Sequence, residues 1–535
     1  MYSKISERVS FSNQKYLFQL ILICVIGIVL RISLISHEVP LILDAGGYFW
    51  YAIDTSILGH LPENECEWKC KFPNTGWPAF LSLFFMIMPS ENFLDYMNLQ
   101  KYLTISLSVI TTIPLYFLSK LFVRKEMAIL ACSLFIFHPR IIENSILGIS
   151  EPLFILIFVL MLLVFLKYFD KFPFIAFGLI GIMSIIRYEG LLLIIPITVY
   201  YFYKARFSKT TVKLFVVSLV VFIIIVVSWG QMKVESTGQD GIFSHVSSGP
   251  VYYSKTLQNS DEPIELLGSF IQTGIQNTLR YLAISTFPTL VFLVPAGIII
   301  LIKNKNFNFL KIFLPIVFTL LIISFYAYSR GILETRYLLV IFPIFSIVGA
   351  IFLQDIFKID NLKRNILIIF SLLLLTIGFI YFHNLDKIDE KEGYDFAKIV
   401  VSKMNTSNNF SQASHLDNIR FETLEDFPVM RKNITKDFQI IYSHKCSPKI
   451  VYDGCDRGFN NLEDFINKNR SFGLKHIVID DGFMQHPFFN DNFEDYEKYP
   501  YLEKIYDTNE DNFKSFRGKI FLINFEKLDK FINQK

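Results

Sequence analysis

The stretch Leu41-Ile-Leu-Asp44-Ala-Gly-Gly-Tyr48-Phe-Trp50-Tyr follows the first long apolar run of the chain. It places one carboxylate, Asp44, where an apolar segment ends and an aromatic one begins. An acid at the end of a membrane helix is typical of a functional site. Asp is also among the best helix N-cap residues. Asp44 therefore fits a catalytic group and a helix cap, and one does not exclude the other.

The composition is that of a polytopic membrane protein. The 535 residues are 52% hydrophobic and 16% aromatic, with a mean hydropathy of +0.42, against an apolar share of roughly 45–50% in soluble domains. A membrane helix needs roughly 20 apolar residues, and about eleven runs reach or approach that length. They are 16–36, 99–122, 127–142, 150–168, 172–188, 190–203, 212–229, 281–302, 310–328, 336–353 and 365–382. The net charge of +3 is too small to indicate nucleic acid as a partner.

The basic residues predict the orientation in a cell membrane. Lys4, Arg8 and Lys15 precede the first run and place the N-terminus in the cytoplasm. The first run is longer than the core of a signal peptide and lacks a clean cleavage site, so we interpret it as a span. The loops that then fall in the cytoplasm each carry at least two Lys or Arg, and they are 124–126, 167–171, 204–213, 303–311 and 358–364. An odd number of spans places the C-terminal segment outside.

A second domain begins where the composition becomes soluble. Beyond residue 383 we predict short strands at 438–442, 449–452, 476–480 and 519–524, with helices at 394–404 and 462–467. The chain is thus predicted to comprise a transmembrane domain, 1–383, and an extracytoplasmic α/β domain, 384–535. Asn-x-Ser/Thr sequences in the second domain agree with that location.

The cysteines on the outer side are candidates for disulfides, since that compartment is oxidising. They are Cys66, Cys70, Cys446 and Cys455. Cys66 and Cys70 also lie near His60 and several Glu, a pattern that fits a metal cluster. Because no second matching pair follows, we favour a disulfide or two free thiols.

The first outer loop is predicted to contain two helices. Residues 47–58 interleave aromatic, aliphatic and polar side chains, which suits a helix in the membrane interface with Tyr and Trp at headgroup depth. Residues 79–89 are apolar but too short to cross the bilayer. Together they would form a ledge beside the membrane, with Asp44 at its start.

Three further outer turns each bring an Arg and a Glu together. The first holds His138, Arg140, Glu143 and Glu151, the second Arg187 and Glu189, and the third Glu334 and Arg336. A guanidinium suits phosphate binding by paired hydrogen bonds. The structural alternatives are local Arg–Glu pairs and, for Glu151, a favourable place in the first turn of a helix.

In their order these motifs resemble the GT-C glycosyltransferases, particularly the branch of protein O-mannosyltransferases and aminoarabinose transferases that use polyprenyl-phosphate sugars. The resemblance covers residues 15–355. Its motifs are Asp44-Ala-Gly-Gly-Tyr-Phe-Trp, Trp77-Pro78, His138-Pro, Ser150-Glu-Pro152, Arg187-Tyr-Glu-Gly190 and Glu334-Thr-Arg-Tyr337. Members of this branch often carry Asp-Glu where this chain has Asp44-Ala45. The Trp-Trp-Asp motif of oligosaccharyltransferases, a sister GT-C group, is absent, which argues against transfer of a whole oligosaccharide to asparagine.

The resemblance implies inverting transfer of one sugar from a polyprenyl phosphate to a hydroxyl of a protein, lipid or glycan. Asp44 would be the general base, and Arg187, Arg336 or Arg140 would hold the donor phosphate. Enzymes of this family differ in whether they use a divalent ion such as Mg or Mn. The supporting residues or metal ligands would be Glu151, Glu189, Glu334 and His138.

Two other classes of function remain open. A transporter or flippase for a lipid-linked glycan would also place charges at membrane depth, but transporters commonly show internal repeats, and none is visible here. A membrane scaffold that displays the outer domain would tolerate replacement of Asp44. The gathering of charges at outer turns favours the transferase.

Overall fold

A computed structural model describes most of the chain. The described residues are 11–41, 43–62, 74–88, 90, 92–205, 207–238, 240–258, 263–357, 362–383, 385–404, 409–411, 450–451, 461–470, 474–480 and 495–534. The disulfide candidates Cys66, Cys70, Cys446 and Cys455 and the strand predicted at 438–442 lie outside these residues.

Most described residues are helical. The helices are α1 Phe11–Ile32, α2 Leu43–Leu58, α3 Gly76–Ile87, α4 Phe93–Ile110, α5 Thr112–Ser119, α6 Lys125–Ile136, α7 Pro139–Ser145, α8 Glu151–Tyr168, α9 Pro173–Ile186, α10 Ile194–Ala205, α11 Lys209–Thr237, α12 Phe243–Gln258, α13 Pro263–Thr286, α14 Leu290–Lys303, α15 Phe307–Ser329, α16 Phe342–Ile356, α17 Leu362–His383, α18 Leu385–Met404, α19 Leu462–Arg470 and α20 Phe525–Gln534. Two 3-10 helices, Tyr188–Leu193 and Thr335–Ile341, precede α10 and α16.

The helices mark the chain as a membrane protein. Within the described residues, 7 helices are long and apolar enough to cross a bilayer, or up to 8 if the bent pair of α13 and α14 is one span. The 7 are Lys15–Ile32, Phe93–Ser119, Glu151–Tyr168, Lys209–Ser236, Phe307–Ser329, Thr335–Ile356 and Lys363–Phe382. Each contains or overlaps a predicted run.

The predicted count of about eleven spans is not confirmed, because the remaining apolar runs do not form single long helices. The run 127–142 is divided between α6 and α7 next to Pro139. The runs 172–188 and 190–203 give helices of only 14 and 12 residues. α13 and α14 bend by 104° at their junction, which contains Pro288. Proline removes a backbone donor and disfavours helix at the preceding residue, and hydropathy does not record this.

A buried arginine connects several helices of the first compact unit, which comprises residues 1–35, 71–81 and 99–380. Arg31, at the end of α1, is 0% exposed. Its guanidinium donates to the hydroxyl of Ser145 at 2.9 Å and to the carbonyls of Gly27 and Ile136 at 3.0 Å. These bonds tie α1 to α6 and to the end of α7, just before α8 begins.

Packing in the same unit brings several helix ends together. α9 packs between α8 and α11, and the 3-10 helix 335–341 contacts both α8 and α15. The 3-10 helix 188–193 follows α9 directly and also contacts α15. The starts of α8 and of both 3-10 helices are therefore neighbours.

The second compact unit comprises residues 36–70, 82–98 and 381–535. Its α2 and the helix α3 confirm the two helices predicted for the first outer loop. The aromatic side chains of α2 do not face outward, however: Tyr48, Trp50 and Tyr51 are buried. Phe49 packs against Phe85 with ring centroids 6.2 Å apart. The aromatic residues of this loop therefore form a core within the protein.

A five-stranded sheet organises the C-terminal part of this unit. Its strands are β1 Asn409–Ser411, β2 Ile450–Val451, β3 Leu474–Asp480, β4 Leu502–Asp507 and β5 Gly518–Ile523, in the order β2-β1-β3-β5-β4. β1 is parallel to β2 and β3, whereas β5 is antiparallel to β3 and β4. The α/β pattern predicted for this region is confirmed where it is described. The domain boundary at residue 383 stays a prediction.

Alternating side chains of β3 build a core on each face of this sheet. Ile477 and Ile479 pack with α19 and with Leu528 of α20. Val478, on the opposite face, packs with Phe396 and Val400 of α18. Helices thus cover both faces of the sheet.

A carboxylate fastens α18 to the loop before β5. Glu392 accepts hydrogen bonds from the backbone N–H groups of Lys514, Ser515 and Phe516 at 2.8 to 2.9 Å. Burial alone would raise the pKa of Glu392, but these three bonds and the charge of Lys514 lower it overall. The contact stabilises the fold above the ordinary Glu pKa of 4.5 and loses that contribution as the pH falls through the folded-state pKa.

Replacement of Glu392 by Gln is expected to speed hydrogen exchange at the amides of residues 514–516 by about tenfold at pH 7, because a charged acceptor is lost. Exchange mass spectrometry of the whole protein measures this. Asp395→Asn, at an exposed pair with Lys398 on the same helix, is the matched control. Equal exchange in the two variants would contradict the assigned contact. In the wild type, after correction for the pH dependence of the intrinsic exchange rate, the protection of these amides should decrease only in acid.

Candidate functional site

A buried ion cluster lies where α8 begins and α9 ends. Arg187 donates from Nη1 to Glu151 and from Nη2 to Glu189, the latter at 2.9 Å. The three residues are 8%, 4% and 8% exposed. Buried charges are stable only when paired and hydrogen-bonded. The pair Arg187–Glu189, expected as a surface contact in the structural alternative, is instead part of a buried triad with Glu151.

The backbone at Gly190 allows this arrangement. A Cβ atom on Gly190 would lie 2.7 Å from the backbone carbon of Met183 and 2.9 Å from the backbone nitrogen of Ser184. Only a residue without a side chain lets the 3-10 helix fold back so closely on the end of α9. The fold-back brings Glu189 to the guanidinium of Arg187.

The change Gly190→Ala is expected to destabilise the protein by about 1–3 kcal/mol, because backbone atoms cannot yield to the added methyl group. Thermal unfolding in detergent measures the loss. Gly378→Ala in α17 is the matched control, since no atom lies within 4 Å of a Cβ at that position. A Gly190 variant as stable as the control would show that the close approach is not required.

A second arginine reaches the cluster from the 3-10 helix 335–341. Arg336 forms an ion pair with Glu334, and its Nε lies 4.0 Å from Glu151. The side chains of Arg336 and Glu334 are 20% and 47% exposed, so this pair is more accessible than the triad. The ring of Tyr337 lies 5.9 Å from the guanidinium of Arg187 and 5.7 Å from that of Arg336, a geometry of cation–π contact.

These side chains line a cavity with about 30 Å³ of room for water, and about 390 Å³ of empty space when its open mouth is included. Its lining consists of Glu151, Phe154, Ile155, Arg187, Glu189, Leu320, Ile323, Arg336, Tyr337 and Val340. The charges of its two arginines and two glutamates cancel. The second oxygens of both carboxylates, Oε2 of Glu151 and of Glu189, are buried and have no hydrogen-bond partner among the described residues.

The predicted pair of Arg140 and Glu143 lies outside this cavity. Arg140 is paired with Glu143 at 2.8 Å, and its guanidinium lies 5.1 Å from the ring of Phe379. His138 is 1% exposed and packs against Phe342, with ring centroids 4.8 Å apart. Neither Arg140 nor His138 lines the cavity. Each of the three turns therefore contributes to one site, but the first does so only through Glu151.

A metal-ligand set does not emerge from the described residues. In that part of the chain no three His, Cys, Asp or Glu side chains are grouped to hold an ion. Glu151 and Glu189 each keep one carboxylate oxygen for a ligand, but guanidinium groups occupy the other oxygens. The predicted Mg or Mn ion stays a prediction.

Asp44 belongs to the other compact unit. It lies in the first turn of α2 and is exposed, where a carboxylate is favourable with the helix dipole. Asp54, on the same helix, is 0% exposed. The sequence predicted Asp44 as an N-cap, but α2 begins one residue earlier, at Leu43, so Asp44 lies within the first turn. Its catalytic role stays a prediction.

Some residues around the cavity carry no signal in the sequence. Tyr337 was part of a quoted motif, yet nothing indicated that its ring contacts two arginines. The ring of Tyr188 lies 5.3 Å from that of His245 on α12. Burial and the charge of Lys233 lower the pKa of His245 more than Asp240 and Glu189 raise it, so its imidazole is neutral at pH 7. No sequence signal places α12 beside this cluster.

Comparisons with known proteins identify the fold. No family model matches the chain, and no curated protein matches it. Among solved structures, the apo oligosaccharyltransferase of Archaeoglobus fulgidus is similar at 12% identity and a TM-score of 0.55, over 88% of this chain and 70% of that chain. Its complex with an inhibitory peptide and a dolichol-phosphate is similar at 13% identity and a TM-score of 0.52, over 86% of this chain and 69% of that chain. Its complex with zinc and sulfate is similar at 14% identity and a TM-score of 0.50, over 86% of this chain and 68% of that chain.

At this identity the likeness shows the fold alone, and activity does not follow from it. The small C-terminal sheet and the apolar helices agree with that architecture. The narrower resemblance to O-mannosyltransferases and aminoarabinose transferases stays a prediction. The chain therefore shares the fold of these oligosaccharyltransferase structures, which agrees with the GT-C resemblance of its motifs.

Proposed function

We propose that the protein is a membrane glycosyltransferase that moves one sugar, with inversion, from a polyprenyl-phosphate donor to a hydroxyl acceptor. The observation that carries this proposal is the cavity of two arginines and two glutamates at the ends of apolar helices, on a GT-C fold. A lipid-borne donor needs a polar site at membrane depth, and ionisable groups there mark such a site.

Arg336 is the arginine that we assign to the donor phosphate. Its partner Glu334 is 47% exposed, and an exposed ion pair contributes only about 0–1 kcal/mol, so a phosphate can replace it. Arg187 is held by two buried carboxylates, and breaking such a pair costs about 3–5 kcal/mol. Arg187 therefore serves to position Glu151 and Glu189. Arg140, outside the cavity, is the weakest candidate for a phosphate ligand.

The proposed reaction is a single displacement. Asp44 accepts the proton of the acceptor hydroxyl while its oxygen forms a bond to the anomeric carbon of the sugar. The bond between that carbon and the phosphate oxygen breaks on the opposite face, and the electron pair leaves with the polyprenyl phosphate. The guanidinium of Arg336 stabilises the charge that develops on the leaving phosphate.

The acceptor and the size of the transferred group are the finer parts of the proposal. The solved neighbours are oligosaccharyltransferases, one of them bound to a peptide and a dolichol-phosphate. This chain lacks the Trp-Trp-Asp motif of the oligosaccharyltransferase group, which supports transfer of a single sugar to a hydroxyl. We place the N-terminus in the cytoplasm and the C-terminal α/β domain outside the cell membrane, from the distribution of Lys and Arg.

Transfer of radiolabelled sugar tests the function. Membranes that contain the protein are supplied with polyprenyl-phosphate sugars or with a lipid-pyrophosphate oligosaccharide plus an Asn-x-Thr peptide. Transfer of a sugar from a polyprenyl-phosphate donor to a hydroxyl group of an acceptor supports the proposal. Transfer of the oligosaccharide to the peptide would replace it with an oligosaccharyltransferase. Chelation and return of Mg or Mn in the same assay tests the predicted ion.

A transporter or flippase for a lipid-linked glycan is the second candidate. The bend of 104° between α13 and α14 favours it, since broken helices line the binding sites of many transporters. Proteoliposomes loaded with a labelled polyprenyl-phosphate sugar separate the two functions. Movement of the label across the bilayer without a transferred product would support the transporter.

A further inference from the structure

The cavity holds two carboxylate oxygens that its own arginines leave unsatisfied. Oε2 of Glu151 and Oε2 of Glu189 are buried, have no hydrogen-bond partner in the described part of the chain, and belong to residues that line the same cavity. An ionised carboxylate accepts hydrogen bonds and donates none. A buried acceptor without a donor costs free energy, so the site is suited to a ligand that brings donors.

The charge of the cavity decides which donors fit. Its two arginines and two glutamates cancel, so the interior offers no net attraction to an anion. A phosphate placed against the free oxygens of Glu151 and Glu189 would meet two like charges. A cation would have to complete its ligand set from water or the donor phosphate, because no third His, Cys, Asp or Glu ligand is grouped with these two oxygens among the described residues. Neutral hydroxyl groups carry donors without either penalty.

The remaining lining agrees with a neutral, hydroxyl-rich ligand. Tyr337 and Phe154 contribute aromatic side chains to the wall, and Ile155, Leu320 and Val340 contribute apolar ones. Binding sites for small molecules combine such walls with a few polar groups that fix orientation. The open mouth gives room for a ligand beyond the about 30 Å³ that is accessible to water.

We propose that Glu151 and Glu189 bind hydroxyl groups of the donor's sugar through these two oxygens, and so select the sugar that is transferred. The inference rests on the proposed function, and it adds which part of the donor lies at the glutamates and which part lies at Arg336. Arg187 is the positioning residue, since it holds both carboxylates through their other oxygens. The phosphate then lies toward Arg336, at the accessible edge of the cavity.

Binding of matched lipids, with and without a sugar, to the purified full-length protein tests the inference. The probes are a short polyprenyl phosphate and the same lipid carrying each sugar of a panel that includes mannose and glucose. We expect one sugar-bearing lipid to bind the wild type about 10- to 100-fold more tightly than the bare phosphate, from two charged hydrogen bonds in a dry site. Glu151→Gln and Glu189→Gln should each remove most of that difference.

The matched control is Glu143→Gln, which alters an Arg–Glu pair outside the cavity and should keep the wild-type preference. Deoxy analogues of the preferred donor provide an arm that needs no variant: loss of one hydroxyl should weaken binding to the wild type about tenfold or more. This arm holds even if a Gln variant does not fold.

The outcomes separate the inference from the proposed function. Sugar transfer without any preference for the sugar-bearing lipid would overturn the inference and leave the transferase intact. A preference that appears only with Mg or Mn and vanishes on chelation would overturn it in favour of a bound cation. Neither transfer nor preference with any donor would overturn both.

Discussion

Replacement of Asp44 by Asn is expected to lower the rate of sugar transfer by about 100- to 10,000-fold, the contribution typical of a positioned general base. An amide cannot take the proton of the acceptor hydroxyl. Asn is nearly the same size as Asp, so α2 should keep its start at Leu43. Steady-state transfer from the best donor, with kcat and KM determined separately, measures the effect.

Asp95→Asn is the matched control for this change. Asp95 is also an exposed acid in the first turn of a helix, α4, in the same compact unit as Asp44. The control should keep most of its transfer activity. If the Asp44 variant, folded and inserted in the membrane, transfers sugar as fast as the control does, Asp44 only interacts with the dipole of α2 and the base lies elsewhere.

Replacement of Arg187 by Ala is expected to destabilise the protein by about 3–5 kcal/mol, the largest loss of stability that we predict for a single substitution. The change leaves the carboxylates of Glu151 and Glu189 buried without their main partner. Thermal unfolding in detergent or lipid nanodiscs measures it. Arg140→Ala removes an Arg–Glu pair that is more exposed, and should cost only about 1 kcal/mol or less.

A compensating variant separates charge from packing. When Arg187→Met is combined with Glu151→Gln and Glu189→Gln, the buried charges of the triad disappear together, and most of the lost stability should return. Catalysis should remain absent, because the groups that contact the sugar are gone. If Arg187→Ala unfolds at the same temperature as Arg140→Ala, the triad does not contribute to stability as its burial predicts.

Secondary structure was predictable where local chemistry is unambiguous. The helices α2 and α3, the strands β3 and β5 and the helix α18 all lie at or near the positions that periodicity indicates. The number of spans was not predictable in the same way. Hydropathy counts apolar residues, whereas the breaks at Pro139 and Pro288 depend on backbone geometry and on the packing of neighbouring helices.

The site was predictable only in part. The recurrence of Arg with Glu at outer turns indicated a shared environment, and the turns at Arg187 and Arg336 do meet Glu151. The same pattern at Arg140 gives a separate pair. Which turns converge depends on the packing of α8, α9 and α15, and one sequence does not record such contacts. The close approach that requires Gly190 is hidden for the same reason.

Arg31 has a consequence for the biogenesis of the protein. A charged residue in a membrane helix costs about 2.5–3.5 kcal/mol at the bilayer centre, and less toward an interface. Its hydrogen-bond partners in α6 and α7 lie 105 and 114 residues later in the chain. When α1 leaves the ribosome, those partners are not yet synthesised. The guanidinium near the end of the first helix therefore lacks these partners until the later helices are inserted beside it, and the final place of that helix is settled only then.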